Sequence, residues 1–215
     1  MFPKMLNKKL LINTLCEELG YEGYKASVKR DVYIIEKKYK NGIKEAFTFN
    51  EYDDWDKRGM MPSITIRKSF PEVDKILKRH YKNNNLSTIL LYTLEKDFFN
   101  PGHKYIYFPD MESIKEGAKY FDKVIKENGF PFFERYRTIE DVYRDTIKIE
   151  DDYGKLHKLF NRPADIKHLV IKRLVGDANW EDYSEKLLSE YETYDNIYGA
   201  YTPALKSIIE ELKSM

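Results

Sequence analysis

Cysteine is almost missing from this chain. Cys16 is the only one in 215 residues. No intrachain disulfide can form, and the expected compartment is a reducing cytoplasm. Glycine is sparse as well, ten residues scattered singly. Neither G-x-G-x-x-G nor G-x-x-x-x-G-K-[ST] occurs, which argues against a phosphate-cradling loop. There is no G-x-S-x-G nucleophile elbow. His80, His103, His157 and His168 include no H-x-x-x-H pair, so nothing indicates a zinc site. On these grounds no cofactor and no metal are expected.

Long apolar runs are missing too. None approaches the roughly 20 residues that span a bilayer, so no membrane segment is expected. The N-terminal stretch MFPKMLNKKLLINTLCEELG lacks an apolar h-region. It reads as a mature first helix rather than a signal peptide. An excess of one charge is also lacking, since the net charge is +1. Nucleic acid is therefore not the expected partner, although VKRDVYIIEKKYK alternates basic and aromatic residues. The charge is unevenly spread: residues 1–82 hold 18 Lys/Arg against 12 Asp/Glu, and residues 83–215 hold 19 against 24.

What remains is the composition of a globular protein, 42% hydrophobic and 34% charged. Hydrophobic periodicity divides it. A helix is expected over 3–19, with Pro3 in its first turn and Gly20 as its stop. Strands follow at 23–29 and 31–40, then Asn41-Gly42, a hairpin signal because both positions tolerate positive φ. A two-residue loop pairs Lys38 with Glu45, Glu36 with Phe47 and Ile34 with Phe49. A polar loop is read at 51–62 and a strand at 63–67. Ser69–Glu72 has the form of a capping box ahead of a helix. Strands are expected at 86–95 and 104–108. Asp110 starts a helix that Gly129 ends, and Thr138–Asp141 starts another. Further helices cover 164–175 and 178–195, and Thr202-Pro203 opens a last one.

The fold class this implies is α+β: an antiparallel or mixed sheet of five to six strands with an N-terminal helix, then a helical C-terminal half. Without a Gly/Ser linker, residues 1–215 read as one domain. Its strand-rich half is 1–109 and its helical half 110–215, with 164–215 as a helical subdomain.

Two places carry candidate chemistry. Glu36-Lys37-Lys38 has the E-x-K form of metal-dependent nucleases, in which two carboxylates hold Mg²⁺ and the lysine stabilises developing charge. The pairing above would desolvate Glu36 against Phe47 and Phe49 and raise its pKa. The nearest companion carboxylate, Asp31, lies in a turn and points elsewhere. The plainer reading is a wet hairpin tip in which Glu45 pairs with Lys38. The second place is Trp55 among Asp53, Asp54 and Asp56. Arg58 and Thr65 stand where a calcium loop needs ligands, so that reading fails. An exposed Trp among acids would be a recognition tip. The aromatic cluster Phe130, Phe132, Phe133 and Tyr136 reads as a core corner, or less directly as a docking patch.

HKYIYFPD, a helix, then ENGFPFFERYRTIEDVY resembles a segment of an uncharacterised bacterial domain family, some members of which accompany toxin systems as immunity proteins. The match covers residues 103–143 and supplies no catalytic residue. It implies a small bacterial cytoplasmic protein. The expected function is a non-enzymatic binding protein, of immunity type, with a protein partner or self-association. Trp55, Asp53, Asp54 and Asp56 are its expected contact residues. The alternative is a nuclease-like or other hydrolase centred on Glu36 and Lys38.

Overall fold

The computed structural model describes residues 13, 14, 17, 21–29, 32–54, 57–81, 87–93, 111–194 and 201–215. Strands β1 (Lys25–Lys29), β2 (Val32–Lys38), β3 (Lys44–Asp54), β4 (Lys57–Ser69) and β5 (Ile89–Thr93) form one sheet in the order β1-β2-β3-β4-β5. Helix α1 (Pro71–His80) lies between β4 and β5 in the chain. After the sheet come α2 (Met111–Val124), α3 (Phe130–Arg135), α4 (Ile139–Thr146), α5 (Tyr153–Phe160), α6 (Ala164–Leu174), α7 (Trp180–Thr193) and α8 (Thr202–Lys213). The class is α+β. Of the helix expected over 3–19, only Asn13, Thr14 and Glu17 are described, and each is helical. The strand expected at 104–108 and the Asp110 cap lie outside the described residues. Among the described residues, no helix is long and apolar enough to cross a membrane.

The chain divides into two compact units, Met1–Lys68 with Leu91–Arg135, and Ser69–Leu90 with Tyr136–Met215. The division does not follow the strand-rich and helical halves expected from sequence order. Each helix joins the unit whose partners bury its apolar face. Helix α1 packs on α6 and α8, whereas Phe121 of α2 sits edge-on to Phe49 of β3 at 5.0 Å.

In the first unit the hairpin corrects the expected register by one residue. Tyr39 N donates to Ile43 O and Gly42 N to Tyr39 O, both at 2.9 Å. The loop is therefore three residues, Lys40-Asn41-Gly42, closed by Gly42 at φ 88°, a left-handed position that glycine takes at little cost. Glu36 lies opposite Ala46, Lys37 opposite Glu45, Ile35 opposite Phe47 and Tyr33 opposite Phe49. The reason is burial: this register puts Tyr33, Ile35, Phe47 and Phe49 on one face, and all four are buried. The expected one would have set Glu36 there. The expected loop at 51–62 is also corrected, because β3 continues to Asp54 and β4 begins at Lys57.

Gly129 does not end a helix as expected. Helix α2 runs through a π-helical turn, Ile125–Gly129, directly into α3. Gly129 is buried, and a Cβ there would stand 2.5 Å from the Phe47 ring. The small residue serves packing rather than termination. Of the expected aromatic cluster, Phe132, Phe133 and Tyr136 are buried and Phe130 is half-buried.

In the second unit α1 starts with Phe70 as its cap residue and Pro71 in its first turn, not with a Ser69 capping box. Phe70 N donates to Thr88 Oγ1 at 2.9 Å, and the Thr88 hydroxyl donates to Asp74 Oδ1 at 2.7 Å. These bonds replace the expected cap. The box at Thr138 and Asp141 does form. Helix α6 is buried from Ala164 to Lys172, so it is the central helix of this unit. Among those buried residues are Asp165, Lys167, His168 and Lys172. Buried polar groups need partners, and theirs lead to a polar cluster in this unit.

Candidate functional site

His168 and Lys172 are four residues apart and share one face of α6. That face meets the turn before α5. Lys172 Nζ lies 2.7 Å from Glu150 Oε2 and 2.7 Å from Asp177 Oδ2. His168 Nε2 lies 3.4 Å from the same Glu150 oxygen. Burial works against the charge on Lys172, but hydrogen bonds to Asp177 and Glu150 outweigh it and hold its pKa above the ordinary lysine value. Burial pushes the His168 imidazole down to about 4, against the carboxylate of Glu150. His168 is thus a neutral donor near neutral pH. Its Nδ1 is buried without a hydrogen-bond partner among the described residues.

On the other side of Glu150 opens a cleft of about 140 Å³. Its walls come from three places. The turn before α5 gives Glu150 and Asp151, and α5 gives Tyr153 and Leu156. Helix α6 contributes Asp165 from its first turn. Helix α7 contributes Tyr183, Lys186, Leu187, Glu190 and Tyr191. Four of the α7 residues, 183, 187, 190 and 191, follow the i, i+4, i+7, i+8 spacing of a single helix face. Four carboxylates thus stand around the cleft against one lysine.

These carboxylates differ in environment. Asp165 is 6% exposed. Tyr191 Oη donates to both of its oxygens at 2.9 Å, and Ile166 N donates to Oδ1 at 2.8 Å. Burial nevertheless pushes the Asp165 carboxyl above the ordinary carboxylate range, against those hydrogen bonds. Burial and then the charge of Asp165 push up the phenols of both Tyr183 and Tyr191. Asp151 and Glu190 lie in solvent at the mouth. Lys186 Nζ reaches Asp151 Oδ1 at 3.0 Å, with the two side chains 60% and 84% exposed. Lys172 Nζ sits 5.1 Å from the Tyr183 ring centroid, so that ring already carries a cation–π contact.

A second buried polar cluster belongs to the first unit. Glu45 Oε1 accepts from Lys68 Nζ at 2.8 Å, and its Oε2 accepts from Tyr39 Oη at 2.7 Å and Tyr24 Oη at 2.9 Å. Lys68 also donates to Phe133 O at 3.0 Å. Burial, then Glu45, pushes the Tyr39 phenol up to about 12. Both oxygens of this carboxylate are engaged, and it ties β3 and β4 to α3.

The sequence-expected site residues fall elsewhere. Glu36 is half-buried on the face opposite Phe47, with Lys25 and Ala46 beside it on the neighbouring strands. The carboxylate on the aromatic face is Glu45. Lys38 is exposed and lies opposite Lys44, so the expected Lys38–Glu45 pair gives way to Glu45–Lys68. Asp53 and Asp54 end β3, and Trp55 and Asp56 lie outside the described residues. Among the described residues, no group of three or more His, Cys, Asp or Glu side chains is arranged to hold a metal ion. The acidic run Glu150-Asp151-Asp152 meets His168 through Glu150. Tyr183, Leu187 and Tyr191 share one face of the helix expected over 178–195 by their spacing. Nothing local in the sequence linked that face to Asp165 or to the acidic run.

Compared with family models, curated proteins and solved structures, the chain matches none.

Proposed function

We propose that this protein is a non-enzymatic binding protein that engages a basic protein partner through the acidic, tyrosine-walled face of its second unit. The observation that carries this reading is the cleft between α5, α6 and α7, with Glu150, Asp151, Asp165 and Glu190 around Tyr153, Tyr183 and Tyr191. On α7 the surface has the same sign, while α5 beside it also exposes Lys155 and Lys158. Helix α7 exposes Glu181, Asp182, Glu185, Glu190 and Glu192 against the single Lys186. Charge of one sign steers an oppositely charged partner and sets its orientation. Tyrosine provides the apolar area that anchors an interface, with a hydroxyl that tolerates partial exposure. Such a role is of the same kind as the immunity-type role implied by the resemblance of residues 103–143.

The test uses a short peptide of lysine, arginine and glycine and follows its binding by calorimetry at rising salt. Glu181→Gln, Glu185→Gln and Glu192→Gln together neutralise exposed positions on α7 outside the cleft. Affinity should fall about tenfold at low ionic strength, with the difference shrinking once salt screens it over about 3–10 Å. Binding that ignores both the triple substitution and the salt would refute the reading.

A further inference from the structure

We infer that the cleft is the anchor site for one arginine side chain of the partner, a guanidinium rather than an ammonium group. This rests on the reading above and names the group that the acidic face positions. Size sets the first limit. A volume of about 140 Å³ is close to the roughly 150 Å³ that accommodates a benzene ring in a protein interior. That suits a small planar group on a thin stem and excludes a nucleotide or a whole folded segment. Charge sets the second. With Glu150 paired to Lys172, the lining still sets Asp151, Asp165 and Glu190 against Lys186, so a cation is favoured over an anion.

The state of the carboxylates separates the two common cations. In the buried part of the cleft three of the four carboxylate oxygens are already in use. Both Asp165 oxygens take the Tyr191 hydroxyl, and Glu150 Oε2 takes Lys172 and lies beside His168. An ammonium group is compact and strongly hydrated, and would have to give up its water there for few free acceptors. A guanidinium is weakly hydrated. It can lay its plane against tyrosine and direct its N–H groups sideways to acceptors at the rim. Asp151 and Glu190 are those rim acceptors.

Lys186 completes the argument. Its pair with Asp151 is mostly in solvent, and such an exposed pair contributes little. An entering guanidinium can displace it and take Asp151 for itself. Lys186 is therefore a built-in competitor at the mouth, and its removal should strengthen binding.

The experiment titrates the full chain with N-acetyl-arginine amide and, separately, with N-acetyl-lysine amide, reading amide chemical shifts. The arginine amide should shift signals of 150–153, 165 and 183–191, with about tenfold higher affinity than the lysine amide. Lys186→Gln should tighten arginine binding about threefold. Glu190→Gln, at an exposed position that does not endanger folding, should weaken it by a similar factor. Equal or tighter binding of the lysine amide, shifts outside the cleft, or a Lys186→Gln variant with unchanged affinity would each overturn the inference. The two claims fail separately. If the arginine amide does not bind while the basic peptide still senses the α7 carboxylates, the anchor is wrong and the acidic face stands. If the triple glutamine variant binds the peptide as well as the native chain does, the face itself is wrong.

Discussion

Lys68 and Lys172 are ammonium groups taken almost wholly out of water, at 4% and 2% exposure. Each has a carboxylate within 2.8 Å. Neither pair need stabilise its unit over a well-packed apolar substitute, but removing one partner leaves a charge buried and costs about 3–5 kcal/mol. Their effect is to fix which elements meet: Glu45 and Lys68 join β3 to β4, and Lys172 joins α6 to the turn before α5 and to the turn after α6 itself. His168 works differently, because it is buried uncharged. Its folded pKa is near 4, below the roughly 6.5 of an exposed imidazole. Between those values the unfolded chain binds the extra proton. Stability contributed by neutral His168 is therefore full above pH 6.5 or so and is lost as the pH falls toward about 4, by up to about 1.4 kcal/mol per pH unit. Glu150, Lys172, Asp177 and Tyr183 are the groups that face it. Urea unfolding from pH 7 to pH 4 should show a shallower acid slope for His168→Leu than for the native chain. Identical slopes would mean that the imidazole takes up its proton in the folded chain at the same pH as in the unfolded one.

At the scale of elements, much was legible and the failures have physical causes. The hairpin was readable from Asn41-Gly42, and α6, α7 and α8 from their apolar spacing and from Pro203. The hairpin register was not, because the turn signal alone does not distinguish a two-residue loop from the three-residue loop that Gly42 closes. The hydrophobic pattern held the answer: pairing Ile35 with Phe47 buries apolar groups, while pairing Glu36 with Phe47 buries a carboxylate. The 51–62 segment looked like a loop because it is polar, yet strands carry polar residues when paired. Gly129 resembled a stop because glycine so often ends helices. Its real constraint is the Phe47 ring, a contact between distant parts of the sequence that no local pattern reports. Gly129→Ala should destabilise the first unit by about 1–3 kcal/mol through overpacking, read as a lower urea midpoint with an unchanged slope. A neutral result would show that Phe47 can move aside.

At the scale of the whole molecule, the near-zero net charge conceals an acidic face on one unit. The sequence did reveal that its second part is acidic. The cleft was legible only in pieces: an acidic run at 150–152, one tyrosine-bearing face of α7, and the start of α6. Their assembly depends on three helices packing together, which a local pattern does not specify. Trp55 and its aspartates show an aromatic among several acids as neighbours in the chain, and Glu150-Asp151-Asp152-Tyr153 and Trp180-Glu181-Asp182-Tyr183 share that local pattern. Trp55 with its aspartates and the cleft would receive a protein partner at different residues. The most direct test is an amide chemical-shift map of the intact chain titrated with the lysine–arginine–glycine peptide. The account predicts that shifts concentrate at 150–153, 165 and 181–192 and fade as salt is raised. Shifts concentrated at 51–62 instead, or spread evenly over both units, would contradict it.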